Sequence, residues 1–176
     1  MTTAAMTEPA EPATPAPRLL GLRLLLIIAA LFAAYDAYLG VWILFGDTTG
    51  IAGPGLGGFL MKAHMASQLL LTLATLLFAV IGRVRYAIMA LAAVVIMAWL
   101  NYISRVVGHE LDFGSGYGGM ETPAQIIAFP LMAACAVALA ARNLQLGITT
   151  AFVTVPTLFN SAGIGLFSIV VALYGF

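Results

Sequence analysis

Six polar side chains interrupt long apolar runs: Asp36, Lys62, His64, Gln68, Asn101 and Arg105. Brought together, they could do the chemistry of a buried ionic pocket. A carboxylate accepts a proton or a cation, a guanidinium clamps an anion through two parallel hydrogen bonds, and an amide orients what lies between them. Their spacing sorts them into faces. Asn101, Arg105 and His109 recur at i, i+4 and i+8, and His64 and Gln68 are four apart, so each set lines one side of a helix. Asp36 is the lone acid within the apolar runs, and Lys62, His64 and Arg105 are its candidate partners, Arg105 first because its planar fork donates twice. The expectation is a pocket of Asp36, His64, Asn101 and Arg105, with Lys62 and Gln68 beside it.

The plainer alternatives are equally definite. Lys62 and Arg105 lie near the ends of their runs and can snorkel to lipid headgroups. Asp36 and Arg105 can form a purely structural pair, since polar contacts often join helices in lipid. His64 and His109 are the chain's two imidazoles, and a b-type haem takes two from facing helices. "KAHMASQLLLTLATLLF" has the look of a haem-carrying helix, but helical rise puts His109 roughly 9 Å further out than His64, which would tilt the ring. No cofactor is expected, with haem b or a quinone as the alternative. His109, Glu110 and Asp112 lack a specific metal-ligand spacing.

These residues must be positioned by membrane helices. The chain has 176 residues, 62% apolar and 8% charged, where a soluble domain carries about a quarter. Its formal charge of zero gives no electrostatic reason to expect nucleic acid as a partner. Five stretches reach the roughly 20 residues a spanning helix needs: about 19–45, 58–81, 86–107, 123–141 and 148–174. A four-helix alternative treats the first as a cleaved signal, because Arg18 and Arg23 precede "LLLIIAALFAA"; the run continues unbroken to Phe45, so an uncleaved anchor is expected. The fold class is therefore an all-α, polytopic transmembrane bundle. Residues 1–17, rich in Ala, Pro, Thr and Glu, read as a disordered tail ahead of one helical domain, 18–176.

Basic residues orient it. Arg18, Arg23, Arg83, Arg85 and Arg142 fall on one side of a five-span chain, which makes that side and the N-terminus cytoplasmic. The location implied is the cell inner membrane, multi-pass. Taking each span's middle as the bilayer centre, Gln68 and Asn160 lie near the midplane, Asp36 and Asn101 roughly 6 Å outward, His64 about 9 Å, and Lys62 and Arg105 about 12 Å. Tyr35, Tyr38, Trp42 and Phe45 form an i, i+3, i+7, i+10 stripe suited to an interfacial belt. Two glycine-rich outer loops join the spans, and the inner turns "GRVRY" and "RNLQLG" are short enough to force antiparallel packing. Cys135 stands alone, so no internal disulfide is possible. There is no Walker A loop, dinucleotide fingerprint, HExxH or GxSxG sequence.

"IGRVRYAIMALAAVVIMAWLNYI" followed by "GGMETPAQIIAFPLMAACAVALAAR" resembles the second half of DoxX-like bacterial membrane proteins, in which a basic turn leads into an apolar third helix and a loop ending in glycine and glutamate opens the fourth. The likeness covers roughly Gly82 to Arg142, with Glu121 matching the loop glutamate. Those proteins usually have four helices, whereas this chain has a fifth span, and His64 departs from their pattern. The resemblance implies an accessory membrane subunit associated with quinone or thiol redox systems and identifies no reaction. The first functional expectation is thus a non-catalytic accessory or subunit protein, bound to another membrane subunit or to its own copies. The alternatives are a carrier or sensor of a small ligand, quinone or proton at the Asp36/Arg105 pocket, and a b-haem or quinone redox protein.

Overall fold

The computed structural model describes residues 16–47, 55–108 and 123–174, with the backbone alone described at 16–18, 101, 103–108, 162–169 and 172. The described residues are helical throughout: α1 (Ala16–Leu39), α2 (Trp42–Phe45), α3 (Leu56–Val80), α4 (Val84–Gly108), a π-helical turn (Ala124–Ala128) leading into α5 (Phe129–Ala141), and α6 (Leu146–Tyr174). Most of the tail, residues 48–54 and residues 109–122 lie outside the described residues.

Local chemistry explains where the helices stop. At the end of α3 the Arg83 N–H donates to the Phe78 carbonyl (2.8 Å) and the Gly82 N–H to that of Ala79 (3.2 Å), with Gly82 at φ +82°. This is a Schellman closure, which needs a left-handed residue just past the helix. Asn143 does the same after α5, at φ 56°, with Leu144 donating to Leu139 (2.9 Å) and Asn143 to Ala140 (3.0 Å). Arg23 on α1 completes the first closure from outside: its Nε donates to the Ala79 carbonyl (3.0 Å) and Nη2 to that of Val80 (2.6 Å). Arg23→Gln should therefore lower stability by about 1.5 kcal/mol, the low end for charged donors because Arg23 is only half-buried. Equilibrium unfolding in micelles would measure this, and an unchanged midpoint would show that the carbonyls find other donors.

Two helices depart from the continuous spans expected. The first is interrupted at Gly40 and Val41, where Val41, Ile43 and Leu44 donate to carbonyls three residues back instead of four. The helix tightens where it meets α3: a Cβ on Gly40 would lie 2.6 Å from the Met65 sulfur. The fourth opens in a π turn, closed by the Phe129 N–H on the Ala124 carbonyl. Pro130 has no N–H to return to the Ile126 carbonyl. That carbonyl instead accepts from the Trp99 indole of α4 at 2.9 Å.

The helices form a ring in which α1 packs between α3 and α6, and α5 between α4 and α6; α4 leans inward and also meets α1 and α6. The core is built largely on alanine: Ala29, Ala79, Ala87, Ala92, Ala133, Ala136 and Ala140 surround Leu26, Ile88, Leu91 and Val153. Small residues at these spacings let helix backbones approach closely. Because α1 supplies Leu26 and Ala29 to this core, the first run is a full member of a five-helix bundle.

Polarity is inverted relative to a water-soluble protein. Inside lie His64, Gln68, Thr72, Thr75, Thr149, Thr150, Thr154, Thr157 and Ser161; outside lie Leu24, Leu31, Leu70, Leu73, Leu77, Leu131, Val155 and Phe159. The aromatic stripe of Tyr35, Tyr38, Trp42 and Phe45 also faces outward, Phe45 being 87% exposed. Among the described residues three helices are long and apolar enough to cross a membrane, Leu19–Phe45, Leu56–Val80 and Ala124–Ala141, with a shorter apolar one at Val84–Leu100.

Candidate functional site: a polar seam on the third helix

The inward face of α3 is polar. His64, Gln68, Thr72 and Thr75 fall at i, i+4, i+8 and i+11 and are all buried, while Leu70, Leu73 and Leu77 take the outward positions. One helical period thus sorts the residues into two sides. The hydroxyls fold back on their own helix: Thr72 Oγ1 donates to the carbonyls of Gln68 (2.7 Å) and Leu69 (3.0 Å), and Thr75 Oγ1 to that of Leu71 (2.8 Å). Such back-bonding satisfies a hydroxyl in an apolar setting without a partner helix.

Gln68 and His64 reach across. Gln68 Nε2 donates to Asp36 Oδ2 on α1 at 2.8 Å and lies 3.5 Å from the Ala33 carbonyl one turn earlier. Ala33 and Ala37, both buried, keep that side of α1 thin enough for the amide to fit. One turn along α3, His64 Nδ1 lies 3.1 Å from the Met97 carbonyl of α4. A carbonyl can only accept, so Nδ1 carries the hydrogen and Nε2 is left as the ring's acceptor. The seam therefore ties α3 to both neighbours.

Two acceptors in the bundle have no donor among the described residues. Gln68 Oε1 is buried without a hydrogen-bond partner, and so is Asn160 Oδ1 on α6. Gln68 as a whole is 5% exposed. Buried polar atoms are nearly always paired. With Nε2 on Asp36, the amide's Oε1 is left without a donor among the described residues.

Of the six residues expected at the site, the structure joins Asp36 to Gln68, with His64 one turn away on the same face of α3. Lys62 is half-buried, and two residues from His64 means about 200° around the helix, off the seam. Asn101 and Arg105 lie on α4, but their side chains are outside the described residues. Their backbone positions are one and two turns past Met97, so Arg105 is about 12 Å beyond the level of His64. His109 and the outer loop carrying Glu110, Asp112 and Glu121 are also outside the described residues. By Gly108, α4 has risen about 16 Å past Met97. Among the described residues no three His, Cys, Asp or Glu side chains cluster as metal ligands.

The donors and acceptors that sequence reasoning missed are mostly backbone. The Met97 and Ala33 carbonyls have no signature in side-chain types. Thr72 and Thr75 had one: they extend the spacing of His64 and Gln68 by i+4 and i+7. Compared with known proteins, the chain matches no family model, no curated protein and no solved structure.

Proposed function

We propose that the chain is a multi-pass protein of the cell inner membrane, N-terminus inside, acting as a non-catalytic accessory subunit whose buried polar contacts hold five helices in register. The inverted polarity carries this reading: alanine, threonine and a seam of His64 and Gln68 inside, leucine and aromatic residues outside. Apolar surface on this scale needs lipid or a partner to cover it. Five crossings put Arg23, Arg83, Arg85 and Arg142 on the cytoplasmic side. A place beside a quinone- or thiol-linked redox partner, the role implied by the DoxX-like resemblance, is the form of subunit proposed.

Cys135 tests the membrane part directly. It is the single cysteine and its side is open in the bundle, so in a bilayer it faces acyl chains. A water-soluble maleimide should leave it unlabelled in native membranes and label it after denaturation in SDS. Full labelling of intact membranes would defeat the reading. The subunit role predicts that tagged protein, gently extracted, brings down one membrane partner at fixed stoichiometry.

A second reading rests on the donorless Gln68 Oε1 beside Asp36: a carrier or sensor of a small hydroxyl- or ammonium-bearing ligand, a quinol among them. Asp36→Asn keeps an acceptor for Gln68 and removes the charge. Under the subunit reading this variant assembles normally; under the carrier reading it assembles and fails to take up ligand.

A further inference from the structure

Three arginines meet where α3 ends and α4 begins, and only one of them has work to do within the fold. Arg23 is spent on the carbonyls of Ala79 and Val80. Arg83 and Arg85 instead both lie beside the ring of Tyr86, their guanidinium carbons 6.0 and 5.9 Å from its centre. Neither donates a hydrogen bond to another described residue, and Arg85 Nε is buried with no acceptor at all. Two cations beside one ring repel each other, and cation–π attraction at partly exposed sites is weak. The described carboxylates do not offset them. Asp36 is held by Gln68, three turns of α3 away from Val80, and Asp47 lies past α2 at the opposite end of α1.

The surface running away from this turn is apolar. Leu73, Leu77 and Val80 recur at i, i+4 and i+7 on α3 and are all more than half exposed, and Tyr86 is nearly half exposed beside them. A double cation at the head of an exposed aliphatic stripe matches a molecule with an anionic head and a long hydrocarbon tail.

We infer that the α3–α4 turn binds an anionic phospholipid of the leaflet it faces, its phosphate between Arg83 and Arg85 and an acyl chain along Leu73, Leu77 and Val80. Guanidinium groups suit the task because each can give a phosphate two parallel hydrogen bonds. The Tyr86 ring, braced by Phe78 with ring centres 5.6 Å apart, holds both guanidinium groups beside it for the headgroup to meet. The inference rests on the membrane reading above. The two fail differently: a protein outside the membrane would label at Cys135, whereas one without this site would stay protected there and treat all phospholipids alike.

The test uses the full chain extracted in a mild detergent with equal phosphatidylglycerol and phosphatidylcholine, read by native mass spectrometry. Each arginine near an anionic lipid surface contributes enough to favour the anionic lipid severalfold, so the pair should retain phosphatidylglycerol roughly tenfold or more over phosphatidylcholine. Arg83→Gln/Arg85→Gln should bring that ratio close to one, while Arg142→Gln, on the other inner turn, should leave it unchanged. In vesicles, phosphatidylglycerol should raise the thermal midpoint of the wild-type protein above its value in phosphatidylcholine alone. Should the double variant fail to fold, these two wild-type measurements still decide. Equal retention of the two lipids, an unaltered ratio in the double variant, or a midpoint rise produced equally by inorganic phosphate in phosphatidylcholine vesicles would overturn the inference. The last result would mean a site for free anions.

Discussion

Replacing Gln68 by leucine is expected to cost about 2–3 kcal/mol of stability, because it leaves the Asp36 carboxyl group inside the bundle without its donor among the described residues. Gln68 Nε2 is the hydrogen-bond partner that Asp36 Oδ2 has on α3, at 2.8 Å. The loss should be largely recovered by a second change, Asp36→Leu, since removing both partners leaves no group stranded, and apolar replacements of similar volume are often neutral. Asp36→Asn alone should cost little, because its amide oxygen still accepts from Gln68. Unfolding of the four proteins in mixed micelles gives the coupling as a double-mutant cycle. If the losses for Gln68→Leu and Asp36→Leu simply add, the two side chains do not hold each other in the native protein.

The second large effect concerns the outer surface. Leu70 lies near the middle of α3 and is 68% exposed. On a protein in water, Leu70→Arg would be a surface change worth no more than about 0.5 kcal/mol. In a bilayer the same change puts a guanidinium among acyl chains near the midplane, at about 2.5–3.5 kcal/mol on insertion scales. The expected outcome is loss of most protein from the membrane fraction, with the remainder unfolding at a lower midpoint. Phe45→Arg is the matched control: it is more exposed still, but it lies at the end of its span, where an arginine reaches the headgroups. Equal tolerance at the two positions would mean that the leucine surface is not buried in lipid.

Sequence alone determined the apolar runs that become helices and the short turns between them, for a local reason. Span length follows from runs of apolar residues, and the grouping of His64 with Gln68 from helical period; the structure closes the short turns through Gly82 and Asn143 in left-handed conformations. Each of these is settled within a few residues of chain. The interruption at Gly40 was less legible, since it also depends on the approach of Met65 from α3. Pro130 likewise announces a disturbed helix start, yet nothing near it in the chain names Trp99 as the donor that satisfies Ile126.

Only the tertiary structure showed that Asp36 meets Gln68. Which residues meet across two helices depends on how far each slides and rotates against its neighbour, and one turn of slide is about 5.4 Å. The packing of α1 on α3 sets Asp36 against Gln68, and that of α3 on α4 sets His64 level with Met97. Those registers bring Ala29 of α1, Ala79 of α3 and Ala87 of α4 into one buried cluster. An amphipathic pattern names the buried face of a helix; the height at which that face meets another is settled by close packing between segments distant in the chain.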